Sequence, residues 1–179
     1  MKKYFNFVLV GLLYTVPPEF LNQVVVHGIF LGYLNTLFIN FLLLSFGYYV
    51  NVNVDRIFRR RSAAVYYYLF FGFFGVMFEW FIIGNSPWKN PDASQITMFS
   101  YWAGLFLVPR ILIDNNKKIK IIKKSLIGFY LVFSVIMLIV GISVPYTSAP
   151  YFIVLSWIIG YNFMNVFYFI YFFKIRKSA

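Results

Sequence analysis

The sequence predicts an all-α, polytopic transmembrane helix bundle, and three observations carry that prediction. Hydrophobic residues make up 61% of the 179-residue chain and charged residues only 12%, about half the charged share of an ordinary soluble domain. The apolar residues come in stretches of roughly 20, the length at which a helix crosses a hydrocarbon core. The basic residues gather in short runs between alternate stretches, the pattern that sets the cytoplasmic side of a membrane protein.

Six spans are expected, at about 4–26, 29–50, 63–84, 96–113, 125–145 and 151–173. Together they form a single transmembrane domain over 1–179 with no soluble unit. Met1-Lys2-Lys3 before an apolar stretch resembles a signal peptide, but Pro17-Pro18-Glu19 stands where small cleavage-site residues are required. The first stretch is therefore read as a retained span, kinked at its proline pair. A break at Pro17-Pro18 would instead leave five spans and put the N-terminus outside, against the charge of Lys2 and Lys3. Span 2 follows a tight turn at His27-Gly28. Spans 3 and 4 are joined by Asn85-Ser86-Pro87-Trp88-Lys89-Asn90-Pro91-Asp92, rich in turn residues. Spans 5 and 6 are joined by Pro145 to Pro150.

The connections on the opposite side are basic. Arg56, Arg59, Arg60 and Arg61 lie between spans 2 and 3, and Lys117, Lys118, Lys120, Lys123 and Lys124 between spans 4 and 5. Lys174, Arg176 and Lys177 follow span 6. With Lys2, Lys3 and Arg110, every basic residue of the chain except Lys89 falls on this side. Both termini are accordingly expected in the cytoplasm, of a bacterial-type inner (plasma) membrane. The formal charge of +11 is explained by these runs, without a nucleic-acid partner.

The absence of cysteine excludes disulfides and thiolate chemistry, and a single histidine, His27, excludes a multi-histidine metal site within one chain. No phosphate-binding loop and no mid-span lysine occur, so no cofactor and no metal are assigned.

Polar residues within the spans are the candidates for function, because an ionisable group in a membrane is costly and usually faces the bundle interior. Glu19 and Glu79 fall about 10 Å and 8 Å from the outer ends of spans 1 and 3 by helical rise. Asn22, Gln23 and His27 follow Glu19 on one helix face. Gly72 and Gly75 precede Glu79 on its face and would let another backbone approach. Asn35 in span 2 has a similar depth. Thr97, Ser100, Tyr101 and Gly104 form a stripe on span 4, and Tyr161, Asn162 and Asn165 lie on span 6. With Trp88 from the loop, these residues would line a polar cavity open to the outside. Its expected ligand-binding set is Glu79, Glu19, Asn22, Gln23, Asn35, Trp88, Tyr161 and Asn162.

Each feature also has a structural reading. Glu19 would cap amides after the proline pair, Glu79 would bond a neighbouring helix, and the asparagines would be interhelical glue. Gly28-Ile-Phe-Leu-Gly32 matches a small-xxx-small contact, more naturally within the chain than between copies. Arg110 and Asp114 stand four apart, as a local helix pair.

Three functions remain. The first is binding or transport of a small solute or cation through the cavity. The second is a membrane enzyme using the Glu pair as acid and base on a lipid or isoprenoid. The third is a structural subunit of a membrane complex. Partners are accordingly the lipid bilayer and either a small-molecule ligand or another membrane subunit. Length and span count look like those of the substrate-binding subunits of energy-coupling-factor transporters; their Ala-x-x-x-Ala helix contact is absent, and that family is not assigned.

Overall fold

The computed structural model describes residues 1–57, 63–89, 94–143 and 149–176, and among them only helices and turns occur. The Arg59–Arg61 run, the Asn90–Asp92 part of the second turn and the 145–148 part of the third lie outside the described residues. Six α-helices follow the six apolar stretches: α1 (Lys2–Glu19), α2 (Phe30–Ile57), α3 (Ala63–Phe78), α4 (Ser94–Ile113), α5 (Lys120–Ser143) and α6 (Ala149–Arg176). Four helical segments are long and apolar enough to cross a membrane: Lys2–Val25, Phe30–Asn53, Ala63–Ile83 and Lys117–Ser143. A shorter apolar segment covers Thr97–Ile113.

Sequence neighbours pack as hairpins, α1 on α2, α3 on α4 and α5 on α6, so the helices alternate in direction. One end of the bundle holds the turns at Gly28 and Gly84, and the other holds Lys2, Lys3 and the lysines of 117–124. These are called the turn end and the basic end below.

α4 is the centre. It packs against α1, α3 and α6, and its residues from Thr97 to Ile111 are buried on nearly every side. A helix that is apolar all round and surrounded by helices needs no polar face. The outer helices instead turn apolar side chains outward: Phe38 and Phe46 on α2, Phe73 on α3, Ile136 and Ile142 on α5, and Ile159 on α6 are all exposed. Contiguous exposed apolar surface of this kind suits lipid and not water. The chain therefore has the character of an integral membrane protein.

The proline pair does not end the first helix. Pro17 and Pro18 sit inside α1, which runs on through a π-helical segment, Phe20–Val26. Neither proline has an amide hydrogen, so the carbonyls of Leu13 and Tyr14 lose their intrahelical donors. A side chain from another helix replaces them. The Tyr130 hydroxyl on α5 reaches the Leu13 carbonyl at 2.7 Å and the Tyr14 carbonyl at 3.1 Å. This one phenol thus bridges α5 to both carbonyls at the proline break.

α3 repeats the ending of α1. It gives way to a second π-helical segment, Glu79–Ile83. Both segments close on a glycine with positive φ, Gly28 (69°) and Gly84 (84°), a conformation that only glycine adopts without strain. In both, the residue after the glycine donates six residues back, Ile29 N to the Gln23 carbonyl (2.7 Å) and Asn85 N to the Glu79 carbonyl (2.9 Å).

At the basic end the chain leaves α4 through Asp114-Asn115-Asn116. The Asp114 carboxylate accepts from Asn116 N (2.8 Å), and the Asn116 side chain accepts from Lys118 N (2.9 Å). Such side-chain-to-backbone bonds compete with the helix and turn the chain. A short 3-10 segment, Lys117–Ile119, then leads into α5.

The glycine expectations need correcting in detail. Aromatic side chains, not a backbone, enter beside Gly72 and Gly75: a Cβ at Gly72 would meet Phe99, and one at Gly75 would meet Trp102. Gly28 has nothing within 4 Å, whereas a Cβ at Gly32 would meet Ile29 and the Gln23 side chain of the first π segment, so of this pair Gly32 is the one that touches the first span.

Candidate functional site

The two intramembrane glutamates stand at equivalent places. Glu19 is the last residue of α1 before its π segment, and Glu79 is the first residue of the π segment after α3. A π-turn widens the helix by one residue per turn and occurs often at functional sites. Here it re-aims the residues that follow each carboxyl, because the bond ladder shifts register there. The sequence contains the carboxyls, but nothing in its periodicity announces the two widened turns.

Glu19 and Glu79 are both partly buried, and their carboxyls are close enough to interact electrostatically. The Glu19 carboxylate accepts a hydrogen bond from the Tyr101 hydroxyl of α4 at 2.9 Å. Tyr33 of α2 also lies within its electrostatic reach. Glu79 is faced by the Trp102 indole of α4 and by the Asn85 side chain. Trp102 can stand there because Gly75, one turn before Glu79, offers no side chain to exclude it. The central helix thus presents adjacent residues, Tyr101 and Trp102, to the two carboxyls.

Below the carboxyls lies a knot of phenols. Tyr14 stacks on Tyr101 at 6.0 Å and on Tyr130 at 5.9 Å between ring centroids. Tyr161 of α6 packs edge-on to Tyr101 at 5.3 Å and lies 5.9 Å from Tyr14. Separations of this size are direct ring contact. They leave no room between the rings for an organic guest.

The α4–α6 seam continues the polar surface. Ser100 donates to the Asn162 side-chain oxygen (2.7 Å), and the Asn165 amide donates to the Ser100 carbonyl (3.0 Å). Tyr14 Oη, Tyr161 Oη and the Asn165 side-chain oxygen are buried and make no hydrogen bond within the described residues. Two of these, Tyr14 Oη and Asn165 Oδ1, converge on Gly104, where a Cβ would touch both. The missing side chain of Gly104 makes room for the Tyr14 hydroxyl.

The expected set divides accordingly. Glu19, Glu79, Tyr161 and Asn162 belong to this cluster, although Asn162 remains exposed on its outer edge. Asn22 and Gln23 are partly buried within the first π segment. Gln23 faces Gly32 of α2. Asn35 is exposed on α2, because that helix turns the residue outward. Trp88 is 61% exposed and packs on Trp80 and Phe81 at the rim, away from the phenols. Tyr14, Trp102 and Tyr130 join the cluster without having been expected. The sequence signal for the two phenols was the excess of tyrosine, 15 residues in the chain, which interfacial anchoring accounts for equally well.

A different groove lies on the outer surface of α6 near the basic end, lined by Val166, Phe169, Ile170, Phe173 and Lys174. It shares no residue with the carboxyl cluster. Compared with protein-family models, with curated proteins and with solved structures, the chain matches none of them.

Proposed function

We propose that this chain is a six-span membrane protein, both termini cytoplasmic in a bacterial-type inner membrane, that binds and transports a small cation through the polar cluster at its turn end. The observation that carries this reading is the pairing of Glu19 with Glu79 inside the helix bundle, where the Tyr101 hydroxyl of α4 donates to Glu19 and the Trp102 indole of α4 stands beside Glu79. Two carboxyls at one depth attract positive charge, and carboxyls within a membrane bundle usually mark an ion path. Ring-to-ring packing around them favours a small ion over an organic solute. The alternation of six antiparallel helices with one basic end supports the topology.

The test is thermal unfolding of the detergent-purified protein in lithium, sodium, potassium and choline salts at fixed pH, then across pH at fixed salt. The wild-type midpoint should respond to one cation or to protons. Glu79→Gln and Glu19→Gln should lose that response while remaining monodisperse. An equal response in wild type and both variants would overturn the site. It would favour the reading of a structural subunit, for which the tight aromatic packing is the supporting observation.

A further inference from the structure

We propose that the small cation is the proton, and that a buried line of hydroxyl and amide groups along the α4–α6 seam carries it between the Glu19–Glu79 pair and Asp114. The proposal rests on the cation reading above and extends it from one end of the bundle to the other.

The line follows from helix geometry. Tyr161, Asn165, Tyr168 and Tyr171 recur at spacings of four, three and three along α6, so they share one face. All four are at most 5% exposed. That face meets α4, the most enclosed helix in the bundle. At the turn end Tyr101 bonds Glu19 and packs on Tyr161. In the middle Tyr14 Oη and Asn165 Oδ1 converge on Gly104. At the basic end the Tyr171 hydroxyl donates to the Asp114 carboxylate at 2.8 Å. From Tyr101 to Asp114 the helical rise is about 20 Å, most of a hydrocarbon core of about 30 Å.

The unpartnered oxygens give the line its second support. A hydroxyl or amide oxygen buried without a partner is costly. Three of them lie beside α4, Tyr161 Oη and Asn165 Oδ1 from α6 and Tyr14 Oη from α1, and a water shared among such polar partners would complete their bonding. Tight rings exclude larger ions from such a line but not protons passed between oxygens.

The charged and titratable neighbours at each end suit entry and exit. Glu19 is faced by Glu79 from the segment after α3, by Tyr33 from α2, by Tyr101 from α4 and by Tyr161 from α6. Asp114 is faced by Tyr171, which Arg110 also approaches, and Lys123 of α5 bonds its main-chain carbonyl. A phenol is neutral near pH 7, and it both donates and accepts. Glu19 takes up a proton and passes it to Tyr101 Oη as that phenol gives its own proton onward. Each hydroxyl and bridging water gains one proton and loses one, ending neutral. The Asp114 carboxylate accepts the last proton and releases it at the basic end.

The experiment is proton flux into vesicles of the reconstituted full chain, read by a trapped pH dye under a potassium diffusion potential. Wild type should acidify the lumen faster than protein-free vesicles. Tyr161→Phe and Tyr14→Phe keep the rings but remove the hydroxyls, and each should slow flux by about tenfold, the scale of one lost hydrogen bond. Gly104→Ala, which places a methyl against Tyr14 Oη, should slow it independently. Tyr49→Phe, on the exposed side of α2, should conduct as wild type. Wild-type flux no greater than that of empty vesicles overturns the proposal, as does unchanged flux in folded Tyr161→Phe, Tyr14→Phe and Gly104→Ala. If those variants conduct normally while Glu79→Gln still abolishes the unfolding response, the line fails and the carboxyl site stands. If Glu79→Gln leaves that response intact, the site itself fails.

Discussion

The two ends of this bundle hold polar clusters of opposite design. At the turn end, Glu19 and Glu79 lie within electrostatic reach of each other among neutral groups: the Tyr101 phenol donates to Glu19, and the Trp102 indole and the Asn85 side chain stand beside Glu79. At the basic end, charges of both signs gather on neutral partners. Arg110 donates to Asn51 at 3.3 Å and lies over the Tyr67 ring at 5.1 Å; Asp114 accepts from Tyr171; and Lys123 donates to the carbonyls of Leu112 and Asp114. That cluster ties α2, α3, α4, α5 and α6 together. The contrast teaches how charge balance sets what each cluster attracts. At the basic end charges of both signs share one cluster and bond neutral groups of neighbouring helices, whereas the two carboxyls of the turn end have no cation beside them and retain an affinity for positive charge.

The sharpest way to break the comparison is to ask whether the two clusters lie on opposite sides of a membrane. The chain has no cysteine, so single cysteines report cleanly. Lys89→Cys and Lys118→Cys, both exposed, should react with an impermeant maleimide from opposite faces of sealed vesicles. Labelling of both from one face would overturn the six-span topology.

A smaller effect is expected at the proline break. Tyr130→Phe removes the hydroxyl that reaches the Leu13 and Tyr14 carbonyls, and should lower unfolding stability by about 1–3 kcal/mol. Reversible unfolding in mixed micelles measures it; a neutral result would mean that the π segment alone accommodates the prolines. At the basic end, Tyr171→Phe should cost about 1 kcal/mol and leave the cation response of unfolding unchanged in size if the clip there is structural. Ser100→Ala should be mildest, about 0.6 kcal/mol, the average for a hydrogen bond between membrane helices. A loss much above that would show that Asn162 and Asn165 depend on Ser100 for position.

How much of this was legible in the sequence varies from residue to residue. The six apolar stretches and the helices over them coincide because apolar run length is a local property. Glu19 and Glu79 could be singled out because an acid in an apolar run is conspicuous. Their proximity could not, because it depends on how α1 and α3 rotate about their axes. Asn35 shows the same limit in reverse: its depth suited the cluster, but the rotation of α2 exposes it. Trp88 was expected among the residues lining the cavity; it rests on Trp80 and Phe81 at the rim, where two large rings offer it contact.

By itself, then, the sequence determined the helical class, the membrane character and the concentration of basic charge at one end, since each follows from composition and run length along the chain. The tertiary structure alone decided that α4 is the central helix, that Tyr130 bridges α5 to the proline-interrupted α1, and that Tyr101 and Trp102 address the two carboxyls. Those are relations between helices distant in sequence. They are set by which faces pack, and a nearly uniform apolar helix carries too little periodic contrast to specify its own rotation.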